Sequence, residues 1–125
     1  MDPTTDLHVH TRLEGPYTIV AIDGELDIAT AYTLRERLLD ILHRDDTRIV
    51  VDLSGVSFCD VSGLATLVAT KRRARLLGGT LRLAAPRPQV RTILRLTGLH
   101  RHLAVYPTTA AACASLDPDE QPALR

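Results

Sequence analysis

A thiol, a carboxylate and a hydroxyl fall within four consecutive residues: Cys59, Asp60 and Ser62, with Val61 between the last two. A serine beside a carboxylate can accept a phosphoryl group, or act as a nucleophile if a base reaches it. It can also simply cap a helix, which is worth about 1 kcal/mol. Enzyme chemistry lacks its usual companions. There is no G-x-x-x-x-G-K-[ST] loop to cradle phosphates and no G-x-S-x-G elbow to activate the serine. No histidine stands at a telling distance from Ser62. Asp60 has two readings, a partner-facing carboxylate and a helix-start charge on the dipole. A second acidic group, Glu25 and Asp27, lies in Gly24-Glu25-Leu26-Asp27 and has the same two readings. His8 with His10, and His100 with His102, have spacings that suit a metal. No third ligand accompanies either pair, so no metal site is expected. Cys59 and Cys113 read as small buried hydrophobes or, less simply, as a redox pair.

These residues need elements to position them. Leu7 to Arg12 alternates and reads as an edge strand, and Glu14-Gly15-Pro16 as a turn. Tyr17 to Ile22 (YTIVAI) and Arg48 to Leu53 (RIVVDL) are β-branched runs of interior-strand type. Ala31, Leu34, Leu38, Ile41 and Leu42 recur at helical spacing, and Thr30 or Asp27 can cap that helix. Ser54 to Asp60 reads as a loop, and Ser62 to Leu77 as a second helix stopped by Gly78-Gly79. Leu64, Leu67, Val68 and Ala74 form its core face. Ala65, Ala69 and Leu76 form a second apolar strip, for a partner or a neighbouring helix. Lys71, Arg72, Arg73 and Arg75 suit a solvated face or an acidic partner. Thr80 to Ala84 (TLRLA) reads as a strand with one polar face, Pro88 to Thr97 as a third helix, Leu103 to Tyr106 as a last strand, and Thr108 to Leu116 as a short Ala-rich helix. The order predicts an α/β domain with a four- to five-stranded, mostly parallel sheet. About four helices mainly cover one face. One domain over 7–116 and flexible termini at 1–6 and 117–125 are expected.

Composition narrows the class. The chain has 125 residues, 45% apolar and 24% charged, with 15 basic and 15 acidic side chains. That is an ordinary globular composition and excludes a fibre or a disulfide scaffold. No apolar run approaches the roughly 20 residues of a membrane span, and the polar, acidic start is not a secretory signal. A cytoplasmic protein is expected. Zero net charge conceals an asymmetry: residues 1–60 carry 12 acids and 5 bases, residues 61–125 carry 3 acids and 10 bases. Overall neutrality and only three Tyr and one Phe argue against a nucleic-acid binder.

One stretch goes further than composition. VVDLSGVSFCDVSGLATLV (Val50 to Val68), with its D-L-S-G-V-x-F-x-D-x-S-G-L run, resembles the STAS domain, and more narrowly a bacterial anti-sigma factor antagonist. GGTLRLAAP and LTGLHRHLAVYPT add to the likeness, which runs from about Leu7 to Leu116. The resemblance implies a non-enzymatic binding module without cofactor. It implies a partner, an anti-sigma factor of the serine-kinase ATPase type, whose capture frees a sigma factor. It also implies phosphorylation at the start of the second helix, a phosphatase that reverses it, and a monomer or weak dimer. Glu25, Asp27, Asp60, Val61, Ser62, Gly63, Ala65 and Ala69 are the partner-binding residues so implied. The usual acceptor directly follows the loop Asp, and here that position is Val61, which has no hydroxyl. Either Ser62 takes the phosphate or the switch has been lost. The alternative role is a scaffold or ligand-sensing subunit of a larger signalling complex.

Overall fold

Each β-branched run becomes a strand, and each stretch of 3.6-residue periodicity becomes a helix laid across the strands. The computed structural model describes residues 7–115. The expected flexible termini and the helix end at Leu116 lie outside the described residues. The strands are β1 (Leu7–Glu14), β2 (Tyr17–Leu26), β3 (Arg48–Cys59), β4 (Thr80–Ala84) and β5 (Ala104–Tyr106). The helices are α1 (Ile28–His43), α2 (Val61–Leu76), α3 (Pro88–Leu96) and α4 (Thr109–Ala114), with a 3-10 turn at Leu99–Arg101. The five strands lie in the order β1-β2-β3-β4-β5. β1 pairs antiparallel with β2 through a tight hairpin, and every other pair is parallel.

Strand alternation divides the interior in two. Val20, Ile22, Val51, Leu53, Leu81 and Leu83 point to the face covered by α1, α2 and α3, where they meet Leu34, Leu38, Leu64, Leu67 and Leu94. Tyr17, Ile19, Val50 and Ala84 point to the other face, which α4 alone covers among the described residues, through Ala112. The helices therefore lie mainly on one side, as the periodicity predicts.

The local differences have physical causes. Ser54 to Asp60 is not a loop, because β3 continues to Cys59 alongside β2. Its polar residues belong to a strand end with one exposed side. The β2–β3 register slips between Ala21 and Asp23 and again between Gly24 and Glu25. Gly55 permits the slip: a Cβ there would lie 1.8 Å from Asp23 Oδ1 and 2.7 Å from the Ile22 carbonyl. α1 begins at Ile28, three residues before the first periodic apolar position, because Asp27 caps it. The expected polar face of β4 is not exposed. All five β4 residues are buried. Arg82 is buried under α4, donates through Nη1 to the Ala112 carbonyl and to the Ser115 carbonyl at 2.7 Å, and lies 5.3 Å from the Tyr17 ring and 5.7 Å from the Tyr106 ring. A cation that saturates helix-end carbonyls and packs between rings can be buried at low cost.

Candidate functional site

Two parallel strands that end side by side deliver two helix starts to one rim. Leu26, the last residue of β2, pairs with Cys59, the last residue of β3. An aspartate follows each, and each caps the next helix. Asp27 accepts from the Ala29 and Thr30 backbone N–H groups at 2.9 and 3.0 Å. Thr30 completes the box by accepting from the Asp27 N–H at 2.9 Å and donating to the Glu25 carbonyl at 2.7 Å. Both candidate caps of α1 are thus used together. Asp60 accepts from the Gly63 N–H at 3.0 Å, and its own N–H donates to the Leu26 carbonyl at 3.0 Å. That last bond ties the two junctions together.

Ser62 does not cap its helix, because Asp60 occupies that place. The serine stands at the second helical position and is exposed. Among the described residues its hydroxyl makes no hydrogen bond; only its carbonyl is used, by Thr66. Gly63 is buried against β2, where a Cβ would meet Leu26 Cγ at 2.5 Å and the Leu26 carbonyl oxygen at 2.8 Å. Glycine is thus what lets α2 start hard against the sheet.

The structure brings Glu25, Asp27, Asp60, Val61, Ser62 and Gly63 to this rim. Glu25 and Ser62 are exposed, Asp27 and Asp60 half-buried. Ala65 and Ala69 lie further along α2 and are exposed. They line a groove of about 380 Å³ between α1 and α2, flanked by Arg35, Leu39 and Arg73. Leu76, the third member of the expected strip, lies outside that groove at 84% exposure.

Of the apolar side chains at this rim, the sequence reading named Val61 and missed Ile28 and Phe58. Val61 and Ile28, each the first residue of its helix, are 52% and 76% exposed. Phe58, the penultimate residue of β3, is 47% exposed. A β-branched residue directly after an N-capping aspartate was the available signal, since that position faces outward before the core stripe begins. Phe58 and Val61, with Ile93 and Leu96 of α3, line a largely apolar groove of about 410 Å³.

Cys59 and Cys113 are not brought together. Both are free thiols. Cys59 packs in the core beneath the three large helices, and Cys113 against the α4 cluster on the opposite sheet face. Burial, and secondarily the Asp60 charge, push the Cys59 thiol up from 9.0 to about 12. Cys113 is also raised, mainly by burial. His8 and His10 are exposed on β1, and His10 Nε2 lies 3.7 Å from Asp23 Oδ2. His100 Nδ1 is 3.2 Å from the Leu94 carbonyl, and the His102 carbonyl accepts from Lys71 Nζ at 2.9 Å. Among the described residues no three potential ligands converge on a metal position, and no helix is long and apolar enough to cross a membrane.

A mixed sheet with one antiparallel edge, paired Asp-capped helix starts at its rim and a short helix closing the far face defines a class. The STAS domain family model matches residues 6–112. The chain belongs to that family. Its relatives include the anti-sigma-B factor antagonist of Staphylococcus aureus, 30% identical over 95 residues, covering 75% of this chain and 87% of that protein. The anti-sigma F factor antagonist of Paenibacillus polymyxa is 27% identical over 100 residues, covering 79% and 86%. The crystal structure of an anti-sigma factor antagonist from Mycobacterium paratuberculosis superposes with a TM-score of 0.79 at 28% identity, covering 90% of this chain and 94% of that one.

Proposed function

We propose that this chain is an anti-sigma factor antagonist. In this reading it binds a kinase-type anti-sigma factor through the rim formed by the starts of α1 and α2. Binding displaces a sigma factor and so regulates transcription, and the chain itself turns over no substrate. The names of its relatives support the general role. The observation that carries the switch is the exposed Ser62 hydroxyl, left unused because Asp60 does the capping.

A phosphoryl group on Ser62 adds about −1.5 to −2 charges. It meets the positive end of the α2 dipole, where the Val61 and Ser62 N–H groups have no intrahelical acceptor. The fold tolerates the charge and the partner feels it. A like charge about 6 Å away costs about 3 kcal/mol at an effective dielectric near 20, roughly a hundredfold in affinity. Val61 then supplies apolar contact in place of a hydroxyl, together with Ile28 and Phe58.

The test is a pull-down with the tagged chain from native extract, read by partner identity and intact mass of the bait. A serine-kinase-like anti-sigma factor is expected. A bait about 80 Da heavier after ATP addition, absent in Ser62→Ala, supports the switch. Partner capture with no mass change under ATP overturns the switch and leaves the binding role. No such partner overturns both. The apolar groove beside Phe58 and Leu96 favours one second reading, a ligand-sensing subunit. A small molecule retained in native mass spectrometry, and lost in Leu96→Asp, would favour it.

A further inference from the structure

α3 separates two grooves of opposite character. Ile93 and Leu96 face the apolar groove beside the α2 start. On its other flank α3 meets the 3-10 turn and β5 around a groove of about 340 Å³. Arg91, Arg95 and His100 stand around it, and Leu94, Val105 and Tyr106 contribute its apolar lining. We propose that this second groove is a docking site for an acidic polypeptide segment, one that places an apolar side chain between carboxylates.

Charge complementarity carries the assignment. From Val61 to Ser115 the sequence contains no Asp or Glu. No element from α2 to α4 therefore offers a carboxylate to these arginines. The ion pairs seen among the described residues are His10–Asp23, Arg12–Glu14 and Arg35–Glu36, all in the other half of the chain. Arg91 and Arg95 are one helical turn apart and exposed. Like charges at that spacing cost a helix a few tenths of a kcal/mol, which an anionic partner recovers. Arg87, one turn earlier, is tied to the Ser54 carbonyl at 2.9 Å and is not part of the pair. The His100 ring is held on α3 through Nδ1, 3.2 Å from the Leu94 carbonyl, and forms one wall of the groove.

The apolar lining selects the kind of anion. A nucleic-acid strand needs a phosphate track and open aromatic faces. The one aromatic residue in this groove, Tyr106, has the Arg82 guanidinium 5.7 Å from its ring centroid. The groove instead offers an aliphatic pocket between cations. The site lies across α3 from the groove at the Ser62 rim and does not depend on phosphorylation there.

The test is a titration of the ¹⁵N-labelled chain with the acetylated peptide Glu-Asp-Leu-Glu-Asp. Amide shifts confined to α3, the 3-10 turn and β5 are expected. Affinity should fall about tenfold in the double variant Arg91→Gln/Arg95→Gln, as two exposed ion pairs are worth. It should fall similarly when the peptide leucine becomes serine, and again when salt is raised to about 0.3 M. Arg72→Gln/Arg73→Gln on α2 should leave it unchanged, and so should Ser62→Glu, which separates this site from the rim. Circular dichroism checks that each variant is folded. Shifts elsewhere, full affinity in the Arg91/Arg95 variant, or tighter binding of a dT oligonucleotide to the same amides would overturn the proposal.

Discussion

Ser62 and Asp60 sit two positions apart and do different work, and stability measurements can separate them. Asp60→Ala removes the α2 cap and should cost about 1 kcal/mol, lowering Tm by about 4 °C. Ser62→Ala removes a hydroxyl that bonds to nothing among the described residues, so it should stay within about 0.5 kcal/mol of the parent. Thermal unfolding of both variants decides the matter; a Ser62 loss as large as the Asp60 loss would return the capping role to the serine. Cys59 makes a second prediction. Its thiol is raised from 9.0 to about 12 in the folded chain. The unfolded chain therefore releases this proton first as pH rises. The contribution of the neutral buried thiol is intact below about 9 and is lost between about 9 and 12. Cys59 should resist thiol reagents at pH 8 until the protein unfolds, while half-buried Cys113 reacts earlier. Mass spectrometry of alkylated peptides reads the order.

At the scale of elements, α4 is the part most dependent on a single side chain. It is six residues long, too short to be stable by itself. Arg82 holds its C-terminal carbonyls and fills the space between Tyr17 and Tyr106. Arg82→Ala should cost about 3 kcal/mol. It should also release amide protection at Thr109–Ala114 before that of α1 and α2, as native-state hydrogen exchange would record. Gly63→Ala should destabilise by about 1–3 kcal/mol, since the methyl group meets the Leu26 carbonyl and α2 must move away from β2. Most elements were legible because their signals were local: Leu34, Leu38 and Ile41 on α1, the run Ile49 to Val51 in β3, the stop at Gly78. Arg82 was not, since TLRLA alternates like a half-exposed strand. Only the fold reveals that a helix from thirty residues later lies on its polar side. The end of β3 was missed for a related reason. Ser54, Gly55 and Ser57 look like loop residues, and the pairing that keeps them extended comes from β2. The rim was legible in its acids and serine, but not in Ile28 and Phe58, whose exposure depends on where the helices and strand actually end.

The whole chain has no net charge and a pI near 7.0, with most of its acids before Val61 and most of its bases after it. Molecules of this kind attract one another weakly when salt is low. Light scattering at pH 7 should show more self-association in about 20 mM salt than in about 300 mM; the reverse order would mean that apolar rather than charged surface drives it. The same body has a clear polarity of structure as well. Residues Asp27, Asp60 and Ser62 gather where β2 and β3 end, while the hairpin at Gly15 lies where β2 begins, ten residues of strand away. That is about 33 Å of extended chain. Gly15 has φ +60 and nothing within 4 Å of its Cβ position. A fluorophore or affinity handle spliced into that turn would therefore ride at the far pole of the domain, and binding at the Ser62 rim could be tested without touching it.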